Sequence, residues 1–216
     1  MVNNLKRILS IDFDIIMAAS IELYNDKVPG LSQEKLIEVF PILEYCQADM
    51  SHYQKLLSYL LEIVPKMNPD NIHIAFSHQT ILKYIPKDEE NHIVNIDHHH
   101  DLGYEEDLIE KKMDTCANWA KSLFLRNQIE SYTWMNNSNS SKLPENIENR
   151  TKFKEKIHIR DFRDFDMSYP VPDILFICLS PEWVPLNYRP LFYSMLDVIN
   201  TLTGRFYQLE EAESCE

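Results

Sequence analysis

The chain has 216 residues, 44% of them hydrophobic and 25% charged, which fits one soluble domain with a full core. Its formal net charge of -13 argues against binding a nucleic-acid backbone, since such surfaces are basic. Only three glycines are present, with neither a Walker pattern nor GxGxxG, which disfavours Gly-rich phosphate loops.

No stretch reaches the roughly 20 apolar residues that span a bilayer. The N-terminus runs straight into a strand-like segment without a secretory signal. Cys46, Cys116, Cys178 and Cys215 lack zinc-finger or redox spacing. A cytoplasmic protein with reduced thiols and no membrane partner is the expectation.

Leu5 to Ile16 reads as a buried strand built around two aspartates, Asp12 and Asp14. Ser32 opens a helical pattern through Leu43. A second helix is expected from about Met50 to Val64, with Tyr53, Leu56, Leu57, Leu60 and Leu61 on its apolar face, stopped by Pro65. Ile72 to Phe76 is a short strand leading into His78, and a helix is expected to start near Gln79. His92 to Ile96 is another strand. Asp114 to Arg126 reads as helical and Glu130 to Trp134 as a strand.

Residues 136–150 are polar and rich in Asn and Ser, the pattern of a mobile surface loop. Lys156 to Ile159 and Ile174 to Leu179 are strands, and the second leads into Ser180-Pro181-Glu182. Pro190 to Thr203 is the last helix, ended by Gly204. Residues 210–216 form an acidic tail. Alternating strands and helices, with strands that are continuous apolar runs, predict a single α/β domain over residues 1–209. A mostly parallel sheet covered on both faces makes it a three-layer sandwich.

In such a sheet, sites form beyond the carboxyl ends of strands. The most informative run is Asn95-Ile96-Asp97-His98-His99-His100-Asp101. Asp97, His99 and Asp101 alternate, so an extended backbone would point all three the same way, about 7 Å apart at Cα. With Asp12, Asp14 and His78 they offer four carboxylates and two imidazoles. Unpartnered, such carboxylates repel one another, so cations are expected. The donor set suits Mn²⁺ and is compatible with Zn²⁺ or Fe²⁺. A carboxylate-bridged metal pair supplies a hydrolytic nucleophile at neutral pH.

Each motif has a plainer reading. The Asp/His run also reads as a polar loop, the aspartate pair as an exposed strand end, and His78 as a capping or core histidine. Glu182 also reads as a helix N-terminal carboxylate, and Asn118 and Trp119 as ordinary helix packing.

Ser10-x-Asp12-x-Asp14 and Asp97-x-His99-x-Asp101 resemble the two metal motifs of the arginase and ureohydrolase superfamily. The segment Ile74 to His78 resembles the strand supplying that family's lone metal histidine. The resemblance is strongest to the compact peptide arginases, which modify ribosomally made peptides. It implies an arginase-like sandwich with two Mn²⁺ ions, Asp97 and Asp12 bridging them. His78 and Asp101 would complete one ion, His99 and Asp14 the other.

It further implies hydrolysis of arginine in a precursor peptide to ornithine, with release of urea. Glu182 is the candidate to hold the guanidinium. Asn118 and Trp119 are candidate substrate contacts, because Cys116-Ala117-Asn118-Trp119 stands where the family carries its acid/base histidine. His158 is the candidate substitute for that histidine.

The chain departs from ordinary arginases in carrying Asp-x-Asp before the Asp/His motif. Asp97-His98-His99 also resembles the motif of a manganese phosphoesterase family, in which His98 would be a ligand. A non-catalytic metal-binding α/β protein is the third reading.

Overall fold

A computed structural model describes residues 5–17, 47–87, 89–103, 114–138, 140, 153–181 and 183–211. The expected helix opening at Ser32, most of the expected mobile loop and nearly all of the acidic tail lie outside these residues, as does Glu182.

Six strands form one all-parallel sheet: β1 (Lys6–Asp12), β2 (Ile72–Ala75), β3 (Asn91–Ile96), β4 (Ile129–Asn136), β5 (Ile157–Asp161) and β6 (Ile174–Cys178). Their spatial order is β2-β6-β1-β3-β4-β5. Three helices are described: α1 (Met50–Ile63), α2 (Trp119–Leu125) and α3 (Arg189–Thr203).

The strands are apolar on both faces because both are covered. Leu9, Ile11, Val94, Ile96, Leu175 and Ile177 join a core with the buried faces of α1 and α3. Their neighbours Ile8, Ile93, Tyr132, Trp134 and Phe176 join the α2 residues Trp119, Ala120, Leu123 and Phe124. The period-two alternation thus sorts each strand between two cores, and the expected three-layer α/β sandwich is the observed one.

The helices follow local signals. Asp49 caps α1, its side chain accepting from Ser51 N and His52 N. Tyr59 lies in the buried face of α1 and Leu61 points to solvent, which rotates the expected apolar stripe. The second helix begins at Trp119 and not at Asp114, since the preceding residues form a turn in which Asn118 Oδ1 accepts from Thr115 N. Gly204 ends α3 with φ +66°, in the left-handed region that favours glycine.

Two expectations change in ways that matter for the site. β1 ends at Asp12, not Ile16, and Phe13–Ile16 form a 3-10 turn. The Asp12 carboxylate causes this by accepting from the N–H of Asp14. Residue Asn137, placed by sequence in a polar surface loop, is buried: its amide donates to the carbonyls of Ile15 and Met17.

After β1 the chain moves to one side of it to make β2, then returns to its other side for β3. The sheet therefore reverses its winding beside β1, the position where α/β sheets open a crevice at their carboxyl ends.

Candidate metal centre

β1 and β3 are hydrogen-bonded neighbours whose paired register ends at Ile11 and Ile96. Asp12 and Asp97 are the next residues on each strand, so the two sequence motifs start side by side. On the other flank of β1, Asp12 is in register with Cys178 of β6, which pairs in turn with Ala75 of β2. The chain leaving β2 then brings in His78 at the start of a 3-10 turn.

All six expected ligands converge. His78 Nδ1 lies 3.0 Å from Asp101 Oδ2, 3.1 Å from Asp97 Oδ2 and 3.4 Å from Asp12 Oδ2. His99 Nδ1 lies 2.9 Å from Asp14 Oδ2 and 3.8 Å from Asp97 Oδ1. Three trios have their donor atoms within 4.8 Å of one another: Asp14-Asp97-His99, His78-Asp97-Asp101 and Asp12-His78-Cys178. The first two share Asp97. These buried groups can hold a metal ion.

Convergence is not achieved by a pleated strand. β3 stops at Ile96, and Asp97 Oδ1 accepts from the N–H of His99 at 2.7 Å, which turns the chain. Asp101 sits at φ +53°, in the left-handed region that aspartate tolerates better than most residues. His98 points elsewhere: its Nδ1 accepts from Asn137 Nδ2 at 3.2 Å, and only its backbone N–H reaches Asp14 Oδ1.

The ligand orientations are fixed from behind. His78 Nε2 is hydrogen-bonded to Ser10 Oγ at 2.5 Å, which turns Nδ1 toward three carboxylates. Trp119 Nε1–H donates to Asp101 Oδ2 at 2.6 Å, and Asn95 Nδ2 donates to Asp97 Oδ2 at 3.1 Å. Ser180 Oγ donates to Asp12 Oδ2 at 2.5 Å. Trp134 Nε1–H holds the Asp97 carbonyl at 2.9 Å. Of these supports, Ser180, Asn95 and Trp134 carry no signal in the sequence beyond their closeness to a motif.

Among the described residues no lysine or arginine pairs with Asp12, Asp14, Asp97 or Asp101, and all four are buried. Burial, then the charges of Asp12 and Asp97, push Asp14 up to about 7. Burial, then Asp101 and Asp12, push Asp97 up to about 7. Burial alone would depress the two imidazoles. Asp14 nonetheless lifts His99 to about 10, and Asp101 leads the carboxylates that hold His78 well above its ordinary value. His78 Nδ1 and Asp14 Oδ2 have no hydrogen-bond partner of proper geometry. Buried polar atoms left this way are costly, and divalent cations fit them: two imidazoles and four carboxylates are the donors that such ions take.

The site opens at His99, whose side chain is 14% exposed against 5% or less for the other five. The half-buried Trp183 ring stands 4.8 Å from the His99 ring at this opening. It is held there by a turn in which Ser180 has φ +45° and accepts the N–H of Trp183. Glu182 lies outside the described residues.

Other expected site residues are not brought together. His158 is exposed on the edge strand β5, two strands away from β3. Asn118 and Trp119 are buried. Asn118 serves the turn before α2, while Trp119 touches the cluster through Asp101 and through the His78 ring at 5.0 Å.

No helix among the described residues is long and apolar enough to cross a membrane. In comparisons with known proteins, the chain matches no family model, no curated protein and no solved structure.

Proposed function

We propose that the chain is a binuclear-metal hydrolase of guanidino groups, converting arginine residues in a peptide to ornithine with release of urea. The observation that carries this reading is the pair of buried trios, Asp14-Asp97-His99 and His78-Asp97-Asp101, joined through Asp97 at the carboxyl end of a parallel sheet. Two Mn²⁺ ions are the assigned cofactors, because the donors of these trios are mostly hard oxygens. When bound there, divalent cations lower the pKa of a water molecule toward neutrality and so supply a hydrolytic nucleophile.

The guanidino substrate rests on the resemblance of the two motifs to those of ureohydrolases. The chain's own chemistry is compatible with it. Four buried carboxylates attract a cation to the mouth at His99. There Trp183 offers an aromatic face on which a planar guanidinium can stack. Glu182, next to it in sequence, is assigned the charge-assisted hydrogen bond to the guanidinium. Ser10, Asn95, Trp119 and Ser180 hold the ligands in place and take no part in the chemistry. The phosphoesterase reading needs His98 as a ligand, and His98 belongs to none of the three trios, its Nδ1 accepting from Asn137.

The test is incubation of the Mn²⁺-loaded protein with arginine-containing peptides. Each converted arginine loses about 42 Da, the mass departing as urea once water is added. Mn²⁺ bound with no such product on any arginine peptide refutes the reading.

A further inference from the structure

The third trio, Asp12-His78-Cys178, has no place in the ligand set assigned above. Cys178 is fully buried at the last position of β6, in register with Asp12 on one side and Ala75 on the other. Its strand neighbours Leu175 and Ile177 face the α1/α3 core, while Cys178 and Phe176 face the α2 side, where His78 lies. A structural thiol at such a place is ordinarily surrounded by apolar atoms. This one lies within 4.8 Å of a carboxylate oxygen and an imidazole nitrogen, and its hydrogen-bond partner is Ser180 Oγ at 3.6 Å. Ser180 in turn donates to Asp12.

A second observation points the same way. His78 is almost wholly buried, its Nδ1 lacks a hydrogen bond of proper geometry, and the residue belongs to both the Asp97-Asp101 trio and the Cys178 trio. An ion held by His78 therefore has both carboxylate oxygens and the Cys178 sulfur within reach. We infer that Cys178 Sγ is a ligand of the ion held by His78, so that the two halves of the centre differ in donor chemistry. The Asp14-Asp97-His99 half offers oxygen and nitrogen. The His78 half adds a thiolate, which raises its affinity for a borderline ion such as Zn²⁺ or Co²⁺ relative to the other half without barring Mn²⁺. On binding, the S–H proton leaves to solvent and the sulfur lone pair forms the bond to the metal, with no change of oxidation state.

This inference rests on the metal-binding part of the proposed function and not on its substrate. A protein that binds metal through Cys178 but releases no urea would overturn only the latter.

The experiment uses the full chain with Cys46→Ser, Cys116→Ser and Cys215→Ser, leaving Cys178 as the single thiol. Titration with Cd²⁺ or Co²⁺ is expected to raise a sulfur-to-metal charge-transfer band that saturates with binding. Adding Cys178→Ser should abolish the band and lower the affinity for Zn²⁺ by about tenfold, with little change for Mn²⁺. Metal bound by equilibrium dialysis without the band overturns the inference. If the triple variant fails to fold, cadmium NMR of the unaltered chain decides. A resonance in the thiolate-ligated region supports it, and resonances confined to nitrogen and oxygen ligation overturn it.

Discussion

The indole N–H of Trp119 donates to Asp101 Oδ2 at 2.6 Å, from the first residue of α2 to the last residue of the Asp/His motif. Asp101 occupies a left-handed backbone position, so its carboxylate needs an external donor to hold its direction. Trp119→Phe removes that donor and leaves a small cavity where the larger ring was packed. Affinity for one of the two ions is expected to fall by about 10- to 100-fold, with an unchanged far-ultraviolet spectrum. Calorimetric metal titration reads this directly. Equal affinities in the two proteins would show that Asp101 is held by the loop alone.

The metal-free protein is expected to lose stability as pH rises. Asp14 and Asp97 titrate near 7 when folded and near 3.8 as free groups, so the folded state binds more protons between those values. His99, at about 10 against 6.5, and His78, shifted the same way, extend the loss toward alkaline pH. Asp12 is shifted downward and acts only below about 3.8. Bound cations displace these protons, so apparent metal affinity should rise steeply through neutral pH. Melting temperatures across pH 5–9, with Mn²⁺ and with chelator, test both statements. A metal-free protein that grows more stable toward pH 9 contradicts them.

His98 and Asp101 make a discriminating pair. His98→Ala should retain both ions, because that imidazole serves Asn137, at a cost of about 1–3 kcal/mol in stability. Asp101→Ala should lose one ion. The opposite pattern, metal lost with His98 and kept without Asp101, is the signature of the phosphoesterase alternative.

Trp183 is half-buried, whereas Trp119 and Trp134 are buried completely, so its emission should respond to a ligand at the mouth. A guanidinium stacked on it contributes about 0.5–2 kcal/mol, so Trp183→Leu is expected to raise KM roughly twofold to thirtyfold and leave kcat largely unchanged. A fall in kcat at constant KM would place the indole in another role.

His158 provides a control. Exposed on β5 and two strands from β3, it should be replaceable by alanine without effect on metal content or turnover. A large loss of activity would mean that β5 approaches the site in a state different from the one described.

The six candidate ligands were legible because they are chemically conspicuous and follow apolar runs. The sheet was legible because β1, β3 and β6 are apolar on both faces. What brings the ligands together was not. Period two predicted a straight Asp97-His99-Asp101 strand, whereas the Asp97 carboxylate bends the chain by capturing the His99 N–H. The same chemistry ends β1 at Asp12. In both places an aspartate competes with the ladder for backbone donors, which a count of apolar positions does not register. Asn137 was misread for a related reason. A polar residue buried by bonding three acceptors, at Ile15, Met17 and His98, resembles a loop residue in composition.

The position of β6 governs how the molecule comes to be. It pairs with β1 on one side and β2 on the other, yet Ile8 and its partner Ile174 stand 166 positions apart in the chain. The first strand in sequence thus lies beside the last. Such distant pairing closes slowly. Ser180, which steadies Asp12, follows β6 in the chain, so Asp12 gains that hydrogen bond only once β1 and β6 have paired. Metal uptake should therefore trail sheet closure. A stopped-flow refolding experiment with a metal-sensitive dye would find the dye's ion captured in the slowest phase.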